Sequence, residues 1–225
     1  MPHPQSKPSV ALTPLEQRKQ KITFWPKLYS IAFAIYMLGD ILYNFCCIGA
    51  LSDGSADIYE LYEAMQGFSM MSWILGIPAG IFIAVTFYFF VVRIWEEVPT
   101  EFARTTPQKA AGLSFIPFYN FYWWFQCFLG LFQDMNKVTE HYGKGTKFFA
   151  PLIQGACIFW VAACVIELIL TDEIGILGRY DGYRIFLSFV NAGVTIPILW
   201  YIRQQVLNFI DFKTEIGIET SDHRS

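Results

Sequence analysis

One carboxylate stands inside an otherwise apolar run. Asp40 lies near the middle of the segment Leu28 to Leu51, with Asn44 one helical turn further along the same face. At the centre of a bilayer a charged side chain costs about 2.5 to 3.5 kcal/mol on insertion scales, so Asp40 is expected to turn toward neighbouring helices or a water-filled space. Two kinds of chemistry fit. Asp40 could bind a proton or cation during transport, with Gln154 or Asn191 from other apolar segments as polar partners. It could also be a neutral, hydrogen-bonded acid that holds two helices together. No second intramembrane charge is available at similar depth, which favours the packing role; Glu167 lies near the end of its segment and can reach water.

Other reactive residue types give less. His3, His141 and His223 all fall in tails or loops, so no histidine within an apolar segment offers an axial ligand for haem. Cys46, Cys47, Cys127, Cys157 and Cys164 sit in apolar segments, with no Cys-x-x-Cys or Cys/His spacing, and read as buried small hydrophobes rather than zinc ligands. There is no nucleophile elbow, phosphate-binding loop, HExxH motif or dinucleotide fingerprint. No enzymatic activity, cofactor or metal site is therefore expected. The acidic residues Asp53, Asp57, Glu60, Glu63, Asp172, Glu173 and Asp181 read as solvated loop faces. Gly76-Ile77-Pro78-Ala79-Gly80 combines small-residue spacing with a helix-kinking proline and predicts close helix packing.

The elements that would position these residues are long and apolar. The chain has 225 residues, of which 54% are hydrophobic and 18% aromatic, and only 16% are charged against about 25% in soluble domains. A net charge of -3 gives no basic docking face for nucleic acid. Met1 to Lys21 lacks an apolar core and does not read as a signal peptide. Within it, Thr13-Pro14-Leu15-Glu16 is a capping box that starts a short basic helix running toward Phe24-Trp25-Pro26.

Transmembrane spans are expected at about 28–51, 70–94, 148–170 and 185–205, since roughly 20 apolar residues cross the hydrocarbon. The stretch from Ala110 to Phe132 is apolar enough for a fifth. Its periodicity argues otherwise. On a helix, Phe121, Trp124, Phe125, Phe128, Leu131, Phe132 and Met135 share one side, and Tyr119, Tyr122, Trp123, Gln126, Gly130, Gln133, Asp134 and Lys137 the other, with Asn136 the main exception. That pattern predicts an interfacial amphipathic helix at about 118–137, with Phe121, Trp124, Phe125, Phe128 and Phe132 toward acyl chains or a partner. Charge agrees: with four spans, only Arg179 and Arg184 of the 16 Lys and Arg residues lie outside. A fifth span would instead place Lys137, Lys144, Lys147, Arg203, Lys213 and Arg224 outside and return Arg179 and Arg184 to the inside, a split of 10 to 6.

The run Phe115-Ile116-Pro117-Phe118-Tyr119-Asn120-Phe121-Tyr122-Trp123-Trp124, with Arg203-Gln204-Gln205 at the end of the last span, resembles a signature of bacterial multi-pass membrane proteins of unknown function. The motif covers about fifteen residues and the layout about residues 28 to 210. The resemblance implies that layout and a bacterial inner membrane, and no activity.

The sequence therefore predicts an all-α integral membrane bundle. Residues 1–26 form a cytoplasmic N-terminal segment, 27–210 the four-span domain with its interfacial helix between spans two and three, and 211–225 a cytoplasmic tail. The expected role is a non-enzymatic scaffold or accessory subunit, bound to the lipid bilayer and to other membrane-protein subunits or itself. Its aromatic content exceeds what a four-helix core needs. The alternative is a small oligomeric transporter or channel built around Asp40.

Overall fold

A computed structural model describes residues 12–52, 58–116, 118–143, 148, 150–174 and 181–218, and every element among them is helical. In chain order these are α1 (Pro14–Ser52), α2 (Ile58–Trp95), α3 (Pro107–Leu113), α4 (Tyr119–Trp124), α5 (Gly130–His141), α6 (Ala150–Ile174) and α7 (Asp181–Glu215), with a π-helical turn, Phe125–Leu129, joining α4 to α5. The capping box forms as expected. Glu16 N donates to Thr13 Oγ1 at 3.2 Å, and Thr13 N donates to Glu16 Oε2 at 2.8 Å.

Helices α1, α2 and α7 run for 39, 38 and 35 residues. At 1.5 Å per residue each exceeds about 50 Å, much more than an apolar run alone would specify. The polar ends continue as helix because they pack on one another. Trp25 stacks on Phe89 at 4.7 Å, joining α1 to α2, and Trp200 Nε1 donates to Ser30 Oγ at 3.2 Å, joining α7 to α1. Helix α6 runs antiparallel to α7, with Phe148 against Phe209 at 5.7 Å and Trp160 Nε1 donating to Thr195 Oγ1 at 2.9 Å.

These pairings bring the start of α1, the end of α2, the start of α6 and the end of α7 to one end of the bundle. The segment from α3 to α5 closes that end and does not carry the chain to the other, as a fifth traverse would require. The described core gathers here, on Phe90, Ile94, Trp95, Leu131, Met135, Ile153, Leu199, Ile202 and Phe209.

The helix expected to lie flat in an interface is placed differently. It runs antiparallel to α6: Trp124 meets Trp160 at 5.4 Å, while twelve residues later Asn136 reaches the backbone of Phe148. Phe128 and Phe132, expected to face acyl chains or a partner, have no exposed surface. Phe128 lies between Phe87 and Trp160, and Phe132 stacks on Tyr201 at 6.1 Å. The partner surface is thus the chain's own α2, α6 and α7.

The helical face also changes phase. Before Phe128 the buried residues are Trp123 and Cys127, not Phe121, Trp124 and Phe125, which are half-buried. A π turn inserts an extra residue into the helical repeat, so a uniform 100° projection misassigns whatever precedes it.

A second correction concerns the small-residue face of α2. A side chain added at Gly76 or Gly80 would meet nothing within 4 Å, so this face is not packed against another described helix. Neighbouring Ile77 and Ile81 are 55% and 60% exposed, so the whole stripe looks outward.

Asn136, the polar residue on an apolar face, has a structural reason to be there. Its Nδ2 donates to Phe148 O at 3.2 Å and its Oδ1 accepts from Phe148 N at 2.7 Å, satisfying the backbone just before α6. Asn136→Ala should therefore lower stability by about 1 to 3 kcal/mol and speed amide exchange in the first turn of α6. Unchanged exchange at Ile153 and its neighbours would contradict this role.

Candidate functional site

The polar residues that the fold brings together lie at the closed end of the bundle. Glu96 to Thr106 connects α2 to α3, and Arg104 projects from it onto α5. Its Nε donates to Asp134 Oδ2 at 3.0 Å, its Nη2 to Asp134 Oδ1 at 2.9 Å, and its backbone N to Asp134 Oδ2 at 3.1 Å. Nη2 also reaches Gln133 Oε1 at 2.9 Å, and Lys137 Nζ donates to Asp134 Oδ1 at 2.9 Å. The Asp134 side chain is 0% exposed. Burial pushes its carboxyl upward, but the hydrogen bonds from Arg104 and Lys137 outweigh that and hold it below the usual aspartate value.

Gly130, one turn before Asp134, makes room for this fork. A Cβ there would stand 3.1 Å from Cδ, Nε and Cζ of Arg104. A bidentate guanidinium is planar and fixed in direction, so it cannot move aside without losing the carboxylate.

A second pair closes the same end. Lys213 Nζ, on α7, donates to Glu97 Oε2 at 2.7 Å and to Glu97 O at 2.6 Å, with the two side chains 4% and 10% exposed. Burial pulls the Lys213 ammonium below its usual value and the Glu97 carboxylate acts the other way. Lys19 pairs with Asp211 between α1 and α7, and Arg93 with Glu96 at 2.7 Å. Each carboxylate is acceptor to a fixed cation, an arrangement suited to clamping helices and loops rather than to proton transfer.

The residues singled out around Asp40 are placed by backbone alone in most cases; the side chains of Asp40, Asn44 and Asn191 lie outside what is described. Register still says something. From the Ser30–Trp200 contact, Asp40 lies ten residues further along α1 and Asn191 nine residues back along α7. At 1.5 Å per residue both are about 14 Å along the bundle, on adjacent helices. Gln154 does not join them. It is exposed on α6, and lies on the opposite side of the Trp160–Thr195 contact from Asn191. Cys127 and Cys157 are buried free thiols, and the side chains of the other three cysteines lie outside what is described.

Sequence reading missed Arg104, Asp134, Glu97 and Lys213 as partners. It put Gly130 and Asp134 on a polar face, which is where they are, but covered by Arg104 from thirty residues away. The available signal was the glycine itself, one turn from an acid in a helix otherwise full of large side chains.

No family model matches the chain, and no curated protein or solved structure shows significant similarity to it.

Because Asp134 is held below its ordinary value, the stability it contributes is complete above about pH 4 and is lost as pH falls through its lower folded value. The difference in melting temperature between wild type and Asp134→Asn should be constant near neutrality and shrink below about pH 4. A difference that persists unchanged to pH 2 would contradict the charge-based account. Gly130→Ala should destabilise by about 1 to 2 kcal/mol in wild type and become neutral or favourable once Asp134 is alanine, since Arg104 is then free to yield. Equal effects in both backgrounds would remove the steric explanation.

Proposed function

We propose that this chain is a multi-pass membrane protein, with α1, α2, α6 and α7 as its four spans and both termini cytoplasmic, and that it acts as a non-enzymatic scaffold or accessory subunit of a membrane assembly. The observation that carries the membrane reading is the outer surface of the long helices. Gly76–Trp95 is long and apolar enough to cross a bilayer, and Ala150–Ala163 is a shorter apolar stretch. On α1 the large outward residues are Ile31, Ile35 and Leu38, at 58%, 64% and 56% exposed; on α2 they are Ile74, Ile77, Ile81, Phe82 and Val85. Such a continuous apolar exterior belongs against lipid or another apolar surface.

The scaffold reading is supported by two further faces. One is the outward Gly76–Gly80 stripe of α2, where a second helix could approach closely. The other surrounds the turn between α3 and α4, where Phe115, Ile116, Phe118, Tyr119 and Tyr122 are 45%, 45%, 79%, 40% and 57% exposed. Phe118 holds φ 59° there, a costly conformation for a bulky residue. The resemblance in this same stretch is what supports a bacterial inner membrane.

The second reading, a small transporter, is favoured by one observation, the common level of Asp40 and Asn191 on adjoining helices. Asp40→Asn separates the two. It should assemble and retain stability under either reading, whereas loss of ion flux from an active wild type in liposomes would establish transport and overturn the scaffold proposal.

For topology, single cysteines at Ser55 and Gly178 should label from outside intact cells, and those at Gly143 and Ser221 should not. Labelling at position 143 would refute the arrangement. Purification in mild detergent should bring down foreign subunits with the chain; a homo-oligomer alone would favour the transporter.

A further inference from the structure

The ion pairs of the closed end leave out a group of cations. Arg203 on α7 donates from Nε and Nη2 to Thr23 Oγ1 on α1, at 3.1 and 3.0 Å, and its guanidinium lies 5.1 Å from the Trp200 ring centroid. These partners are neutral, and among the described residues no carboxylate pairs with it. Lys27 is one turn beyond Thr23 on the same face of α1 and is exposed, with no acidic partner among the described residues. The two cations therefore flank the α1–α7 seam, between the Thr23–Arg203 and Ser30–Trp200 contacts. Nearby Lys19, in contrast, is already neutralised by Asp211.

This pair also sits at a boundary. The outward stripe of α1 changes from Gln17, Gln20 and Lys21 to Ile31, Ile35 and Leu38, passing Phe24 at 52% exposed on the way. Lys27 is one turn before Ile31, so its ammonium can extend toward the polar side while its stem lies on apolar surface. Arg203 keeps unused donors beyond those given to Thr23 and Gln204. Uncompensated positive charge, a planar donor fork and adjoining apolar surface together match a phosphodiester that carries acyl chains.

We propose that the α1–α7 seam is a binding site for the headgroup phosphate of an anionic phospholipid, gripped by Lys27 and Arg203, with its acyl chains along Ile31 and Ile35. The site rests on the membrane reading above. Its working consequence is orientation and retention: the seam would hold the bundle in an anionic leaflet at a fixed depth.

The test uses the full chain in phosphatidylcholine nanodiscs with and without phosphatidylglycerol. The phosphatidylglycerol retained is measured by native mass spectrometry for wild type, Lys27→Gln, Lys27→Arg and Arg203→Gln. Wild type should retain phosphatidylglycerol in preference to phosphatidylcholine, Lys27→Gln should lose roughly fivefold in that preference, and Lys27→Arg should restore it. Lys27 makes no internal ion pair among the described residues, so Lys27→Gln keeps the fold even where Arg203→Gln loosens the seam. Unchanged preference in folded Lys27→Gln would overturn the proposal. Competition by inorganic phosphate at equal concentration would assign the site to free phosphate instead. A chain removed from vesicles by alkaline wash refutes the membrane reading; a chain that stays without lipid preference refutes only this site.

Discussion

Asp134 has no exposed side-chain surface and keeps its charge because Arg104 meets it with a fork and a backbone N–H while Lys137 meets it from the next turn. The rest of the closed end depends on that pairing. It fixes the loop after α2 onto α5, which seats Phe128, Leu131, Phe132 and Met135 against α2, α6 and α7. Replacing Arg104 alone would strand the buried Asp134 charge, at a cost of about 3 to 5 kcal/mol, so the loop and the helix are held or lost together. The Lys213–Glu97 pair does the same work between α7 and the start of that loop.

Charge and apolar surface are thereby sorted along one axis. Ion pairs and capped backbone gather where α1 begins and α7 ends, and the outward faces of the long helices beyond that level carry Ile, Leu, Val and Phe. This sorting underlies the proposed membrane placement, and it gives Lys27 and Arg203 their position at the join. It also bears on the choice between scaffold and transporter. Among the described residues the best-formed polar network is a clamp at one end, and the outward apolar faces are what support the partner-binding reading.

Much of the helical layout was legible because its signals are local. Thr13 and Glu16 lie three residues apart and satisfy each other, and the four long apolar stretches coincide with α1, α2, α6 and α7 apart from the first two residues of the third. What the local signals do not show is that the short basic helix at Arg18 to Lys21 runs unbroken through Pro26 into the apolar stretch, held there by packing as at Lys19–Asp211. The face of α5 from Phe128 onward was legible from its 3.6-residue period. Upstream of it the π turn shifted the phase, and no residue at 125–129 announces such a turn. Arg104 and Asp134 were illegible as a pair for another reason: a contact across thirty residues of loop and helix leaves no periodicity. Gly76 to Gly80 shows the reverse error, since small-residue spacing indicates a surface able to pack closely without saying that this chain supplies the partner.

The central claim is that the outward face of α1 passes from water into lipid between Lys21 and Ile31. Spin labels placed singly along the outward stripe of α1, at positions 17, 21, 24, 31, 35 and 38 in the full chain reconstituted in bilayers, report it directly through relaxation by oxygen and by a water-soluble nickel chelate. The account requires nickel accessibility to dominate at 17 and 21, oxygen accessibility to dominate at 31, 35 and 38, and the crossover to fall near 24 to 27. Uniform nickel accessibility along the whole stripe would contradict it.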